Sequence, residues 1–169
     1  LHVRSRRQRQ MCIRDSLLGA QAWVKAHKDK LPKIANLFNR DGGPEPPVGI
    51  SVPQAMYDDF VKISEPIQKI RPDYPFEVKV REPRKRPTRM GGTDASVFAI
   101  EGVPTLGFTT EDFKGYDFDY GEIWHTERDL YTKNIPEYQE HTATVTAIIA
   151  LGVANLDKQL SREGLYTEE

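Results

Sequence analysis

Apolar positions recur at helical spacing in three stretches of the chain. Residues 17–31, "LLGAQAWVKAHKDKL", set Leu17, Leu18, Ala20, Ala22 and Val24 around Trp23, with Lys and His on the remaining positions. That pattern predicts a helix, which Pro32 ends. "QAMYDDFVKISEPIQKI" follows Pro53, a residue suited to a helix start. Its Met56, Phe60, Ile63 and Ile67 share one face, which predicts a second helix. The last helix is predicted from about Pro136 to Leu160, where Val145, Ile148, Ile149, Val153, Leu156 and Leu160 form a continuous apolar stripe. Between these lie shorter runs. "KIANLFNRD", "VGISV", "FEVKV" and "VPTLGFTT" read as strands, and "DASVFAIEG" as a short helix closed by Gly102. Gly42 and Gly43, followed by three prolines, cannot continue either kind of element. "REPRKRPTRMGG" is a charged, Pro-punctuated loop, and 111–134 is irregular and rich in aromatics.

Strands alternating with helices predict an α/β class with a mainly parallel or mixed sheet. In such sheets chemistry collects in loops beyond strand ends. Three loops qualify: the one after "NLFNRD", the one before "GGTDAS", and the one holding "IWHTERD".

Composition narrows the classes. The chain has 169 residues and a single cysteine, Cys12, which excludes an intrachain disulfide framework. No apolar run approaches the ~18 residues of a membrane span, so no transmembrane segment is expected. The net charge of −1 hides an asymmetry. Residues 1–16 hold five of the 24 basic residues (Arg4, Arg6, Arg7, Arg9, Arg14) and one of the 25 acidic ones (Asp15), leaving 19 against 24 in residues 17–169. An acidic body argues against nucleic acid as a partner. The basic loop agrees, because no aromatic interleaves with its charges. No P-loop, nucleophile elbow or dinucleotide fingerprint occurs.

The remaining candidates are few. Asp41, at the end of a predicted strand and before a Gly-Gly turn, is either a metal ligand or ordinary turn chemistry. His125, flanked by Trp124 and Thr126, is a possible zinc ligand through one ring nitrogen, with Glu127 or Asp129 orienting the other. A surface histidine is the plainer alternative. His27 reads as solvated among lysines, and His141 as a packed or capping residue. In "MGGTDAS", Gly91 and Gly92 permit close backbone approach, and Thr93 and Asp94 open a helix. Asp94 there is an N-cap or part of a substrate-facing loop, and both can hold. The basic loop reads as solvated, with the alternative that Arg89, nearest the Gly-Gly turn, receives a substrate carboxylate.

Three blocks taken together are more specific: "FNRDGGPEPPVGISV", "GGTDASVFAIEGVPTLGF" and "YGEIWHTERDLYTKNIPEYQEHTATVTAIIALGVANL". In order and spacing they resemble the C-terminal part of a co-catalytic zinc peptidase, the family of leucyl-type aminopeptidases, carboxypeptidase Q and glutamate carboxypeptidase II. The resemblance implies a partial three-layer αβα sandwich over residues 17–169 and a peptide or dipeptide substrate. It implies hydrolysis at chain ends (aminopeptidase, carboxypeptidase or dipeptidase type) by a water that two zinc ions activate. It also implies a secreted or periplasmic parent. Carried residue by residue, Asp41 matches the later Asp ligand and His125 the late His, which serve different metals. Gly92, Thr93 and Asp94 match the loop shaping the substrate side, and Trp124 the aromatic position beside the late His.

The family's early His, bridging Asp and Glu-Glu pair have no counterpart here. "MCIRD" stands where the glutamates are expected, just before the helix "SLLGAQAW". The expectation is a fragment that is inactive by itself. "RQRQMCIRDS" resembles translated sequencing-adapter sequence, so residues 1–16 are expected to be a non-native, disordered leader. A non-catalytic binding domain on the same scaffold is the alternative reading.

Overall fold

The computed structural model describes residues 17–167. The expectation of a disordered leader falls on residues 1–16, outside them. The chain divides into two compact units, which are considered one at a time.

The first unit comprises the described residues up to Asn39, then Arg84–Thr105 and the stretch from Tyr166. The first predicted helix is shorter than its periodicity suggested. Helix α1 spans Leu18–Ala26, and a 3₁₀ segment, Lys28–Lys33, carries the chain through Pro32. The proline is thus accommodated inside a short 3₁₀ piece rather than ending the element outright. "KIANLFNRD" forms no strand: residues 34–41 pair with no ladder. Alternation only makes a strand where a partner's edge is available, and here Leu37 N finds the single carbonyl of Pro104 at 2.9 Å. Helix α3, Asp94–Ile100, ends as expected at Gly102, whose φ of 78° suits glycine. Leu17, Val24, Leu31, Val97 and Val103 form this unit's core.

The second unit holds the sheet and comprises Arg40–Pro83 and Leu106–Leu165. Strand β1, Pro47–Val52, lies between β2, Glu77–Val80, and β3, Phe108–Thr110. It pairs parallel with β2 and antiparallel with β3, so the sheet is mixed and the chain is α/β. "VPTLGFTT" keeps only its last three residues as strand. Central β1 buries Pro47, Gly49, Ile50 and Val52, whereas edge strand β2 is largely exposed. Gly49 is required there, because a Cβ would stand 2.4 Å from the Glu77 carbonyl oxygen.

Helix α2, Tyr57–Ile70, follows a 3₁₀ turn over Gln54–Met56 and buries Phe60, Ile63 and Ile67. It packs against α5, Pro136–Ala154. That last helix stops six residues before the predicted end. Its buried line is Tyr138, His141, Val145 and Ile149, while Leu151 is 63% exposed. The predicted stripe therefore mixed positions from several faces of a helix that is apolar over much of its circumference. Within the irregular 111–134 segment a single turn forms as α4, Tyr120–Ile123, capped by Asp119 Oδ1 on Gly121 N at 2.8 Å.

Candidate functional site

Asp41 opens the turn that leads into β1, and His125 follows α4; both belong to the second unit and both are exposed. The structure fastens their segments together. Tyr120 Oη donates to the backbone carbonyl of Asp41 at 3.1 Å. Gly43, at φ 68°, lies so close under Phe118 and Tyr120 that a Cβ would be 3.0 Å from the Tyr120 ring and 3.1 Å from that of Phe118. Arg40 closes the same turn by donating to the carbonyls of Gly43, at 2.9 Å, and Glu45. Glu45 in turn accepts from Thr110 Oγ1 on β3 at 3.1 Å. The Asp41 turn is thus clamped between the sheet and the segment that carries His125.

His125 itself sits at φ 58°, a region few non-glycine residues occupy. Such strain persists where the surroundings over-determine the conformation, and it clusters at functional positions. Its ring tilts against the 57%-exposed Trp124, with centroids 4.5 Å apart. Thr126 Oγ1 binds back to the carbonyls of Glu122 and Ile123, at 2.8 and 3.2 Å, and accepts from Arg128 N at 3.2 Å. Glu127 and Asp129, the expected partners of the second ring nitrogen, are both exposed.

Gly92, Thr93 and Asp94 lie in the first unit. Thr93, not Asp94, occupies the N-cap position of α3, and its side chain makes no capping bond. Asp94 falls in the first helical turn, where its charge complements the helix dipole. Ser96 Oγ ties the turn by donating to Thr93 O at 2.7 Å. Gly92 has open space where a Cβ would be. Arg89 is exposed.

The other histidines separate clearly. His141 is fully buried, stacked on Tyr74 at 3.9 Å and bonded through Nε2 to Pro47 O at 3.0 Å. Burial holds its pKa below the usual imidazole range, and Arg71 and Lys114 push the same way. It is the packed residue expected of it. His27 is less solvated than expected: its ring stacks on Trp23 at 4.5 Å, and Nδ1 meets Trp23 O at 2.9 Å.

A second feature escaped the sequence. A cleft of about 580 Å³ opens between residues 116–122 and 132–137, the two segments flanking the His125 loop. Beside it Glu137 accepts from Lys114 Nζ at 2.6 Å, from Tyr74 Oη at 3.3 Å and from Tyr116 Oη. Tyr138 Oη donates to Asp112 Oδ1 at 2.6 Å and accepts from Lys114 N at 2.7 Å. Burial and the Asp112 carboxylate push that hydroxyl up to about 12. Only the aromatic richness of 111–134 hinted at this network.

Among the described residues no three His, Cys, Asp or Glu side chains converge to hold a metal ion. Asp41 and His125 offer a carboxylate oxygen and an imidazole nitrogen, both proper zinc donors, but a catalytic zinc takes three protein ligands. The described residues alone therefore do not fit a bound zinc, and no chemical step is assigned through one. No helix among them is long and apolar enough to cross a membrane.

The profile of Peptidase family M28 matches residues 14–149. Among solved structures, a Peptidase M28 precursor from Shewanella amazonensis SB2B superposes with a TM-score of 0.62 at 23% identity. The match covers 86% of this chain and 30% of that one, and it supports the fold. Among curated proteins nothing matches the sequence.

Proposed function

The chain belongs to peptidase family M28, and from that premise we propose that it is part of the catalytic domain of a zinc-dependent exopeptidase, to which it supplies two metal donors, Asp41 and His125. One observation carries the reading: the turn bearing Asp41 is fastened to the segment leading into His125 through Tyr120 and Gly43. A clamp of that kind holds two donors at fixed separation, which a metal site needs and a surface turn does not. The positive φ of His125 supports the same reading.

The substrate on this proposal is a peptide or dipeptide cleaved at a chain end, with Trp124 beside the late donor. The chain spans 30% of the solved relative's length, so the activity of the whole protein is part of the proposal. Two donors fall short of the three that retain a catalytic zinc. The 169-residue chain is accordingly proposed to be inactive by itself.

Paramagnetic Co²⁺ titration of the isotope-labelled chain tests the donors. Broadening is expected around residues 40–43, removed by Asp41→Asn, and around 123–127, removed by His125→Gln. Broadening that leaves both segments untouched refutes the assignment.

A further inference from the structure

We infer that Tyr138 is a positioning residue for both proposed metal donors. Through its hydroxyl the first turn of α5 sets the course of residues 112–120, which hold the Asp41 turn and lead into His125. The segment begins just beyond β3 and closes on itself around one carboxylate. Asp112 accepts from Tyr116 N at 3.0 Å through Oδ1 and from Asp117 N at 2.8 Å through Oδ2. Gly115 and Asp117 bend this loop at φ 70° and 55°. A residue other than glycine keeps such a φ where its surroundings over-determine it.

Tyr138 supplies that restraint from outside the loop. Its side chain is fully buried, and its hydroxyl is spent twice on the segment. Oη donates to Asp112 Oδ1 at 2.6 Å and accepts from Lys114 N at 2.7 Å. One hydroxyl thus locks both the carboxylate that closes the loop and a backbone amide within it. A hydroxyl on a carboxylate at this length belongs to the strong class of hydrogen bonds. With its pKa pushed up to about 12, the donor proton stays in place at ordinary pH. Neighbouring Glu137 adds a second tie, accepting from Lys114 Nζ at 2.6 Å and from Tyr116 Oη.

The consequence lies at the far end of the segment. Directly after Asp117, Phe118 and Tyr120 lie over Gly43, and Tyr120 Oη donates to the Asp41 carbonyl at 3.1 Å. Trp124 N donates to the Tyr120 carbonyl at 2.9 Å, one residue before His125. A shift of the 112–117 loop is therefore passed to both donor segments at once. Tyr74 provides the contrast: its hydroxyl meets the Glu137 side chain at 3.3 Å, not the backbone of the segment. That Asp41 and His125 are metal donors rests on the peptidase reading, whereas the coupling of their segments to Tyr138 does not.

The test is read first without metal. Tyr138→Phe keeps the buried ring and deletes only the hydroxyl. In the labelled 169-residue chain the amides of residues 114, 116 and 117 should then exchange about tenfold faster, the scale of one hydrogen bond to a charged group. The NMR signals of residues 40–43 and 120–126 should move with them, while the β1 amides stay protected. Tyr74→Phe, an equal loss on the same cluster, should leave 40–43 and 120–126 still. With Co²⁺, Tyr138→Phe should raise the concentration that broadens both donor segments by roughly tenfold, the low end for a group behind a metal ligand. A role in stability alone lowers the urea midpoint without that paired effect. Asp112→Asn weakens the same anchor from the other side, and it carries the same expectation should Tyr138→Phe not fold. Signals at 40–43 and 120–126 that keep their parent positions in the folded variant, or that Tyr74→Phe moves equally, overturn the inference. If Co²⁺ broadens neither segment of the parent, the donor assignment falls, and the metal-free shifts still decide the role of Tyr138.

Discussion

Replacing Gly152 by alanine sets two effects of opposite sign against each other. Gly152 lies inside α5, where glycine costs roughly 0.5–1 kcal/mol relative to alanine through backbone entropy. On propensity alone Gly152→Ala stabilises. Yet a Cβ at this position would stand 2.4 Å from Ile63 Cγ2, 2.9 Å from Cγ1 and 3.1 Å from Cβ. Ile63 is on α2, 9% exposed, and β-branched, so in a helix it has essentially one χ1 rotamer and cannot swing aside. The helices must separate, and overpacking of this kind costs about 1–3 kcal/mol. The clash wins, and a net loss of about 1–2 kcal/mol is expected in urea denaturation. At roughly 2–4 °C per kcal/mol for a domain of this size, the midpoint falls by several degrees.

The control is Ile63→Ala, which alone costs about 2–5 kcal/mol by leaving a cavity. It removes the two closest atoms, so in that background Gly152→Ala should become neutral or stabilising. The double-mutant cycle should return a coupling of about 1–3 kcal/mol. A stabilising Gly152→Ala in the parent, or the same effect in both backgrounds, refutes the close approach of α2 and α5.

His141 predicts an acid sensitivity. Its folded pKa lies below the 6.5 of a free imidazole, chiefly through burial, with Arg71 and Lys114 against the proton and the Pro47 carbonyl and Asp73 for it. Below pH 6.5 the unfolded chain takes up a proton the fold resists. The stability is therefore complete above pH 6.5 and is lost as pH falls toward the folded value, at up to about 1.4 kcal/mol per pH unit. Denaturation between pH 5 and 7 should show this slope in the parent and lack it in His141→Gln; equal slopes contradict the buried neutral imidazole. Gly43→Ala combines a φ of 68° with a Cβ 3.0 Å from Tyr120. It should cost about 1–3 kcal/mol and shift the NMR signals of Trp124 and His125. Gly92→Ala, with nothing within 4 Å, should stay within about 0.5 kcal/mol. Equal costs at the two glycines exclude the Gly43 clamp.

What the sequence revealed and what it hid follow from the range of the forces involved. Helix α2 was legible because Phe60, Ile63 and Ile67 repeat at a local period, and α3 because Gly102 ends it in a conformation that favours glycine. "KIANLFNRD" has the alternation of a strand, but pairing depends on a partner's edge that no local pattern encodes. The end of α5 was overrun because apolar residues continue past Ala154 to Leu160 without a proline or glycine to stop them. At the candidate site, Asp41 and His125 were readable as residue types in turn-like settings. The bond from Tyr120 to the Asp41 carbonyl and the contact of Gly43 with Phe118 are tertiary facts. They join positions up to 79 residues apart, and only folding brings them together.

The most direct measurement of the central claim is hydrolysis. The purified 169-residue chain is given Zn²⁺ and assayed on aminoacyl-anilides and dipeptides, with and without a chelator. With Asp41 and His125 as the two donors among the described residues, no chelator-sensitive turnover is expected. Turnover that Zn²⁺ supports and a chelator abolishes contradicts it, because it requires a complete metal site within these 169 residues.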